Sequence, residues 1–116
     1  MKVQNFSEVK ETVVTMDGAK DAKMRLLISD KDGAPNFAMR MFTVAPGGHT
    51  PFHFHNYEHE VFVLEGEGVL KAEDDKHRFK AGDVIFVSPN EKHQFQNVGL
   101  QDLKFLCLIP TPEKCA

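Results

Sequence analysis

Turn residues interrupt this chain at intervals of about ten residues, and this spacing constrains the fold more than any other feature. Gly, Pro, Asn and Asp separate short runs of apolar or alternating residues. The runs predict strands over Met24–Ser29, Phe37–Val44, Phe52–His55, Glu60–Leu64, Val69–Glu73, His77–Lys80, Val84–Val87, His93–Val98 and Leu103–Ile109. Many short strands joined by tight turns are typical of an all-β sandwich or barrel, with little or no helix. The segment Phe6–Val14 fits either a short helix or an edge strand.

The size and composition of the chain limit its organisation and its partners. Its 116 residues, 41% of them hydrophobic, suit one domain with its own core. We expect a single domain over residues 1–116: an N-terminal arm or edge strand over 1–22, a barrel over 23–110 and a tail over 111–116. A net charge of −3 with scattered basic residues argues against nucleic acid as a partner.

Membrane association and disulfide bonding are also not expected. The sequence contains no apolar run long enough to cross a bilayer, and its first ten residues lack a signal-peptide pattern. We therefore predict no membrane partner and a cytoplasmic location. Two cysteines, Cys107 and Cys115, are too few for a disulfide framework and are predicted to be thiols.

Three histidines are concentrated in the segment His53-Phe-His55-Asn-Tyr-Glu-His59. Residues two apart on a strand point to the same face, so His53 and His55 are predicted to project together. The intervening turn can bring His59 back opposite them. A lone histidine is usually a surface or hydrogen-bonded core residue, but three unpaired imidazoles in one interior would be costly without a metal. The pattern therefore predicts a metal site.

Two segments carry a family resemblance. Gly47-x5-His53-x-His55-x4-Glu60, closing at Gly66, resembles the first motif of the cupin superfamily. The second segment, Gly82-Asp83-x9-His93-x3-Asn97, resembles the second motif. The resemblance implies a double-stranded β-helix, or jelly-roll barrel, with a metal near one mouth and its ligands pointing inward. It also implies frequent homodimers.

The chain departs from the cupin pattern at one ligand. The usual glutamate comes four or five positions after the second histidine, and here the fourth position is His59. Strand alternation turns the neighbouring Glu60 to the opposite face, so we predict that it is not a ligand. The expected ligands are His53, His55, His59 and His93, a set similar to the small four-histidine, manganese-type cupins. We expect one divalent transition metal per chain; manganese is favoured, and imidazole ligands also permit Fe, Cu, Ni, Co or Zn.

Three residues are candidates for substrate contacts. Arg40 shares a strand face with Phe42 and Val44, and is either an outer-face arginine or an inward guanidinium that binds a substrate carboxylate. Phe95 follows His93 by alternation and should face the pocket. Cys107 is either a small buried hydrophobic residue or part of the pocket lining.

Four neutral ligands leave the charge of a divalent ion uncompensated, which favours a small anionic or enolate-like ligand. The missing glutamate removes a proton shuttle of the kind that isomerases and decarboxylases use, so these activities are less favoured. We predict a metal-dependent, dioxygenase-like oxidoreductase. The alternative is a cupin that binds or senses a metal or small molecule without catalysis.

The faces opposite the ligands carry apolar residues. Phe52, Phe54, Phe62 and Leu64 would form an exposed patch on an isolated barrel. Monomers rarely leave such a patch in water, so the sequence predicts a homodimer. A second sheet or the Phe6–Val14 segment folded back could cover the patch instead.

Overall fold

A computed structural model describes residues 1–111 of the chain. These residues form an almost entirely β structure, as predicted, without an α-helix. The strands are β1 (Glu11–Val13), β2 (Lys20–Ile28), β3 (Phe37–His49), β4 (His59–Glu65), β5 (Glu67–Lys71), β6 (Lys76–Lys80), β7 (Val84–Val87), β8 (Gln94–Asn97) and β9 (Leu103–Pro110). Short 3-10 turns lie at Phe6–Glu8 and Asp30–Asp32.

The strands form one curled antiparallel sheet in the order β6-β5-β8-β3-β9-β4-β7, and β2 and β1 continue from β3. Strand β3 connects the two halves of the sheet. Its first part, from Phe37 to Val44, pairs with β9, whereas His49 at its end pairs with Gln96 of β8. Because β3 belongs to both halves, the sheet closes around an interior that opens at one end toward the histidines.

The core follows the predicted alternation. Val61 and Val63 of β4 are buried, and Phe62 between them is exposed. The most deeply buried large side chains, Phe105 and Leu103, belong to β9, which lies between β3 and β4 in the sheet. The inner faces of these strands therefore build one apolar interior beneath the site.

Strand β3 continues to His49, beyond its predicted end at Val44. The extra length is possible because the pairing with β2 is irregular: Ala22 pairs with Val44, but Lys20 pairs with His49. The additional residues of β3 bulge out at the Gly47-Gly48 pair. Gly48 is required by close approach, since a Cβ there would lie 2.6 Å from the carbonyl oxygen of Lys20.

The predicted strand Phe52–His55 is wrong. Only a single bridge, between His53 and His93, is present in this segment. The preceding Pro51 has no N–H to contribute to a ladder, which helps to explain the missing pairs. The Phe6–Val14 segment combines a 3-10 turn with strand β1, so its strand alternative holds for Glu11–Val13.

The structure also bears on the predicted thiols and on membrane spans. Cys107 is buried as a free thiol, and Cys115 lies outside the described residues. Within residues 1–111 there is no helix of the length and apolarity needed to span a bilayer.

Candidate metal and ligand site

Backbone hydrogen bonds tie together the two loops that carry the histidines. The N–H of His53 donates to the carbonyl of His93 at 3.2 Å, and the N–H of His93 donates back to His53 at 2.9 Å. The N–H of Asn90 donates to the carbonyl of His55 at 2.6 Å. These bonds join backbone to backbone, so they hold the segments that carry His53, His55 and His93 in fixed relative positions.

Three of the four predicted ligands form a compact group. One ring nitrogen from each of His53, His55 and His93 lies within 4.8 Å of the others. His59 stands beside this group: its ring centroid is 4.6 Å from that of His93 and 5.3 Å from that of His55. The structure therefore brings all four rings to one place, with three of them close enough to share an ion.

The hydrogen bonding of the rings fits a metal. The Nδ1 atom of His93 lies 2.9 Å from the carbonyl of Glu91, a contact that places a proton on Nδ1 and leaves the Nε2 lone pair free. The Nδ1 atoms of His55 and His59 are buried without a hydrogen-bond partner. Unpartnered buried nitrogens cost free energy, and coordination of an ion by these rings would offset that cost.

The electrostatic setting keeps the imidazoles neutral. Burial, followed by the nearby positive charges of His55, His93 and Arg40, lowers the pKa of His53 to about 4. Burial, with His93 and Arg40, lowers the pKa of His59 to about 3. Metal binding requires the deprotonated ring, so the four-histidine environment is prepared for an ion at neutral pH.

Arg40 points into the same interior. One of its Nη atoms donates to the sulfur of Cys107 at 3.1 Å, and its guanidinium lies over the ring of Phe42, 5.0 Å from the centroid. Its Nε is buried without a partner. In residues 1–111 no carboxylate forms an ion pair with Arg40. Of the two orientations open for Arg40, the structure has the inward one.

A single cavity of about 580 Å³ joins the histidines to Arg40. The other two predicted contacts also line it: Phe95, whose ring centroid is 5.9 Å from that of His93, and the buried Cys107. The residues that face this cavity, among those described, include no aspartate or glutamate. The interior is therefore poor in groups that could act as a carboxylate base.

Some lining residues were not among the predicted contacts. The segment from Thr12 to Met16 forms one wall together with Met24. Tyr57 also faces the cavity, and its ring stacks on His55 at 4.8 Å between centroids. Because Tyr57 lies between His55 and His59 in the sequence, a position near the rim of the cavity could be anticipated. Nothing local to the N-terminal segment indicated that it would fold over the opening.

Comparison of the sequence with known proteins identifies the family of this chain. The sequence profile of the cupin domain family matches residues 40–109, which include all four histidines. The chain belongs to the cupin family. This cupin is 35% identical over 114 residues to a protein from Thermotoga maritima named oxalate-binding protein, covering 94% of this chain and 93% of that one.

Solved structures agree with the jelly-roll architecture of this cupin. The polyketide cyclase RemF from Streptomyces resistomycificus is 38% identical, with a TM-score of 0.89 over 95% of this chain and 79% of that one. A predicted oxalate decarboxylase from Thermotoga maritima is 29% identical, with a TM-score of 0.85 over 95% of this chain and 99% of that one. The predicted fold is thus confirmed.

Proposed function

We propose that this cupin is a metal-dependent enzyme that binds a small organic anion between its histidine cluster and Arg40. The observation that carries the proposal is the shared cavity: four imidazoles and an inward guanidinium without a carboxylate partner in the described chain all face it. We assign His53, His55, His59 and His93 as the ligands of one divalent ion per chain, with manganese favoured.

Charge determines the kind of ligand. The imidazoles are neutral, so a divalent ion would add two positive charges to that of Arg40 in a largely apolar interior. Buried charge of one sign is costly unless it is paired, and an anion is the natural partner. The planar guanidinium suits a carboxylate or an enolate, to which it can donate two parallel hydrogen bonds. The names of the Thermotoga maritima relatives, which refer to oxalate, support an organic acid.

For the reaction, we favour non-oxidative chemistry at a carbonyl group, on the similarity to a polyketide cyclase along most of the chain. A bound divalent ion would supply Lewis-acid polarisation of a carbonyl or enolate oxygen. Arg40 would hold the anionic end of the substrate, and Phe42 and Phe95 would exclude water from it. Tyr57, stacked on His55 at the rim, would limit the positions that the substrate can take.

The dioxygenase-like oxidoreductase predicted from the sequence is the second candidate. One observation favours it: no carboxylate base lines the cavity in the part of the chain that the structure describes, so a reaction that needs no protein base suits this interior. A cupin that only binds or senses its ligand is the third outcome to be tested.

One experiment separates these functions. Manganese-loaded protein is incubated with a panel of β-keto acids and 1,3-diketones, with and without oxygen, and the products and the oxygen consumed are measured. Equal conversion under both conditions supports the non-oxidative enzyme. Conversion that stops without oxygen establishes the oxidoreductase instead. Ligand binding with no conversion in either arm contradicts an enzymatic role and leaves the binding protein.

We also propose a homodimer, with a second copy of this chain as the partner. On the outer face of the sheet, β4 and its neighbour β7 expose four large apolar side chains to 38–76% of their surface: Phe62, Leu64, Val84 and Phe86. Together they present roughly 400 Å² of apolar area, which is within the range of the largest patch on a monomer and about half of one partner's share of a standard interface. Phe62 and Leu64 belong to the predicted patch. Phe52 lies instead under the ammonium groups of Lys71 and Lys92, and Phe54 is exposed in the loop before β4.

A further inference from the structure

The cavity of this cupin holds the histidines and Arg40, and most of its other lining side chains are apolar. We propose that its ligand is an anion with a bulky, flat, apolar body, such as an aromatic carboxylate or enolate, and that Met24 and Met16 of the N-terminal wall recognise that body. This inference rests on the proposed anion site. It adds the substrate class and two specificity-determining residues.

An unbroken row of apolar side chains leads from the metal site to the N-terminal wall. The ring of Phe95 is 5.9 Å from that of His93, and Phe105 is 4.7 Å from Phe95. Phe42 stacks on Phe105 at 5.3 Å between centroids, and on the neighbouring strand it pairs with Met24. A ligand that extends away from the histidines therefore passes along aromatic side chains and then meets a thioether.

Arg40 fixes the direction of the ligand along this row. Arg40 and Phe42 are two apart on β3, and the guanidinium lies over the Phe42 ring. An anionic group held by Arg40 thus starts beside Phe42, and the body attached to it lies along that ring toward Met24. The partner of Arg40 on β9 is Cys107, whose buried sulfur offers no competing charge at this point.

The size of the cavity favours a ligand larger than a small diacid. A volume of about 580 Å³ is within the usual range for pockets that bury drug-sized ligands. Oxalate, with only two carbons, would fill a small part of it and leave the apolar wall in contact with water. A bicyclic aromatic acid would fill much more and remove that wall from solvent.

The wall is built by the N-terminal segment. Val14 packs against the core and is held by a hydrogen bond from its N–H to the carbonyl of Ala22 at 2.9 Å. Two residues further on, Met16 lies at the rim with 54% of its surface exposed. An exposed methionine at the opening of an apolar cavity is the group that a ligand body would cover.

The test measures equilibrium binding to manganese-loaded protein without turnover. Naphthoate, followed by its own fluorescence, is compared with acetate, oxalate and the uncharged methyl ester of naphthoate. Burial of the aromatic body should make naphthoate bind about a hundredfold more tightly than acetate. The ester should bind more weakly than naphthoate because it lacks the charge that Arg40 pairs with.

Matched variants locate the contact. Met24→Gln should weaken naphthoate binding about tenfold and leave acetate unchanged. Met39→Gln is the control, because Met39 is also half-buried on the neighbouring strand but lines a separate outer cavity. If Met24→Gln does not fold, Met16→Gln at the exposed rim gives the same test with a smaller loss.

Two results would overturn the inference: acetate or oxalate binding as tightly as naphthoate, or Met24→Gln and Met39→Gln having equal effects. The expected binding pattern supports it whether or not the protein converts any carbonyl compound. Failure of the proposed reaction is therefore distinguishable from failure of this inference.

Discussion

Replacing Arg40 with methionine should stabilise the metal-free protein while weakening its binding of anions. Arg40 carries a positive charge in the interior with an unpartnered Nε, and no carboxylate in residues 1–111 forms an ion pair with it. Methionine keeps the length and apolar stem of the side chain and removes the charge. Functional sites commonly retain such locally unfavourable groups because ligand binding needs them.

The contacts of Arg40 give the expected size of the change in stability and in anion affinity. Relief of a buried, unsatisfied polar atom contributes about 1–3 kcal/mol. Loss of the contact between the guanidinium and Phe42 costs about 0.5–1 kcal/mol, and loss of the weak hydrogen bond to the Cys107 sulfur costs about 0.5 kcal/mol, which leaves a net gain near 1 kcal/mol. For a domain of this size that gain raises the Tm of the metal-free protein by about 4 °C. Loss of hydrogen bonds to a charged ligand costs about 1.5–3 kcal/mol, or roughly 10- to 100-fold in affinity.

Two assays and one control variant check this pair of effects. Urea unfolding of the metal-free protein gives the stability, and calorimetric titration of the manganese-loaded protein with oxalate gives the affinity. Arg25→Met is the control, since Arg25 is paired with Glu11, 3.6 Å from its Nε. Arg25→Met should lose stability, because the guanidinium also donates to the carbonyls of Phe6, Ser7 and Val9, and should bind oxalate normally. Two results together would contradict this prediction. In the metal-free protein, Arg40→Met would lower the free energy of unfolding as much as Arg25→Met does, and in the manganese-loaded protein it would leave the affinity for oxalate unchanged.

Three further predictions test the strand register, the histidine electrostatics and the dimer. Glu60→Gln should leave the metal content, measured by elemental analysis, unchanged, whereas metal loss would show that the register of β4 is displaced by one residue. The pKa values of His53 and His59 are lowered to about 4 and about 3, so the unfolded chain takes up protons that the folded chain refuses. The free energy of unfolding of the metal-free protein should therefore be fully present above pH 6.5 and fall as the pH drops from 6.5 toward 4; a urea midpoint equal at pH 7 and pH 5 would contradict this. Light scattering should give twice the 13.1 kDa chain mass for the native protein and a single chain mass for a Phe62→Glu, Phe86→Glu double variant; a native monomer, or a dimer in the variant, would exclude this interface.

The sequence predicted the regular strands well because their burial alternates with period two. In β4, the pattern that places Val61 and Val63 inside also predicts Glu60 outside, and the structure agrees. It failed at Phe52–His55, where alternation is present but the partner strand supplies only one bridge. Pairing depends on which distant segment lies alongside, and this information is not local to the run.

The site likewise combines features that the local sequence predicts with features that depend on distant segments. The spacing of the histidines was enough to predict that they converge, since it follows from strand geometry and a short turn. The inward orientation of Arg40 could not be derived, because an arginine with a long apolar stem fits either face of a sheet. Likewise, Met24 became a pocket residue through the pairing of β2 with β3, and Met16 through the pairing of β1 with β2, which brings a remote segment over the opening.

We propose that four histidines hold one metal ion in each chain. Crystals of the protein grown after manganese loading, measured at wavelengths on either side of the manganese absorption edge, test it most directly. We expect one anomalous peak per chain, at bonding distance from His53, His55, His59 and His93. The absence of a peak among these rings would contradict the proposal. An ion bound by His53, His55 and His93 but not by His59 would also contradict it.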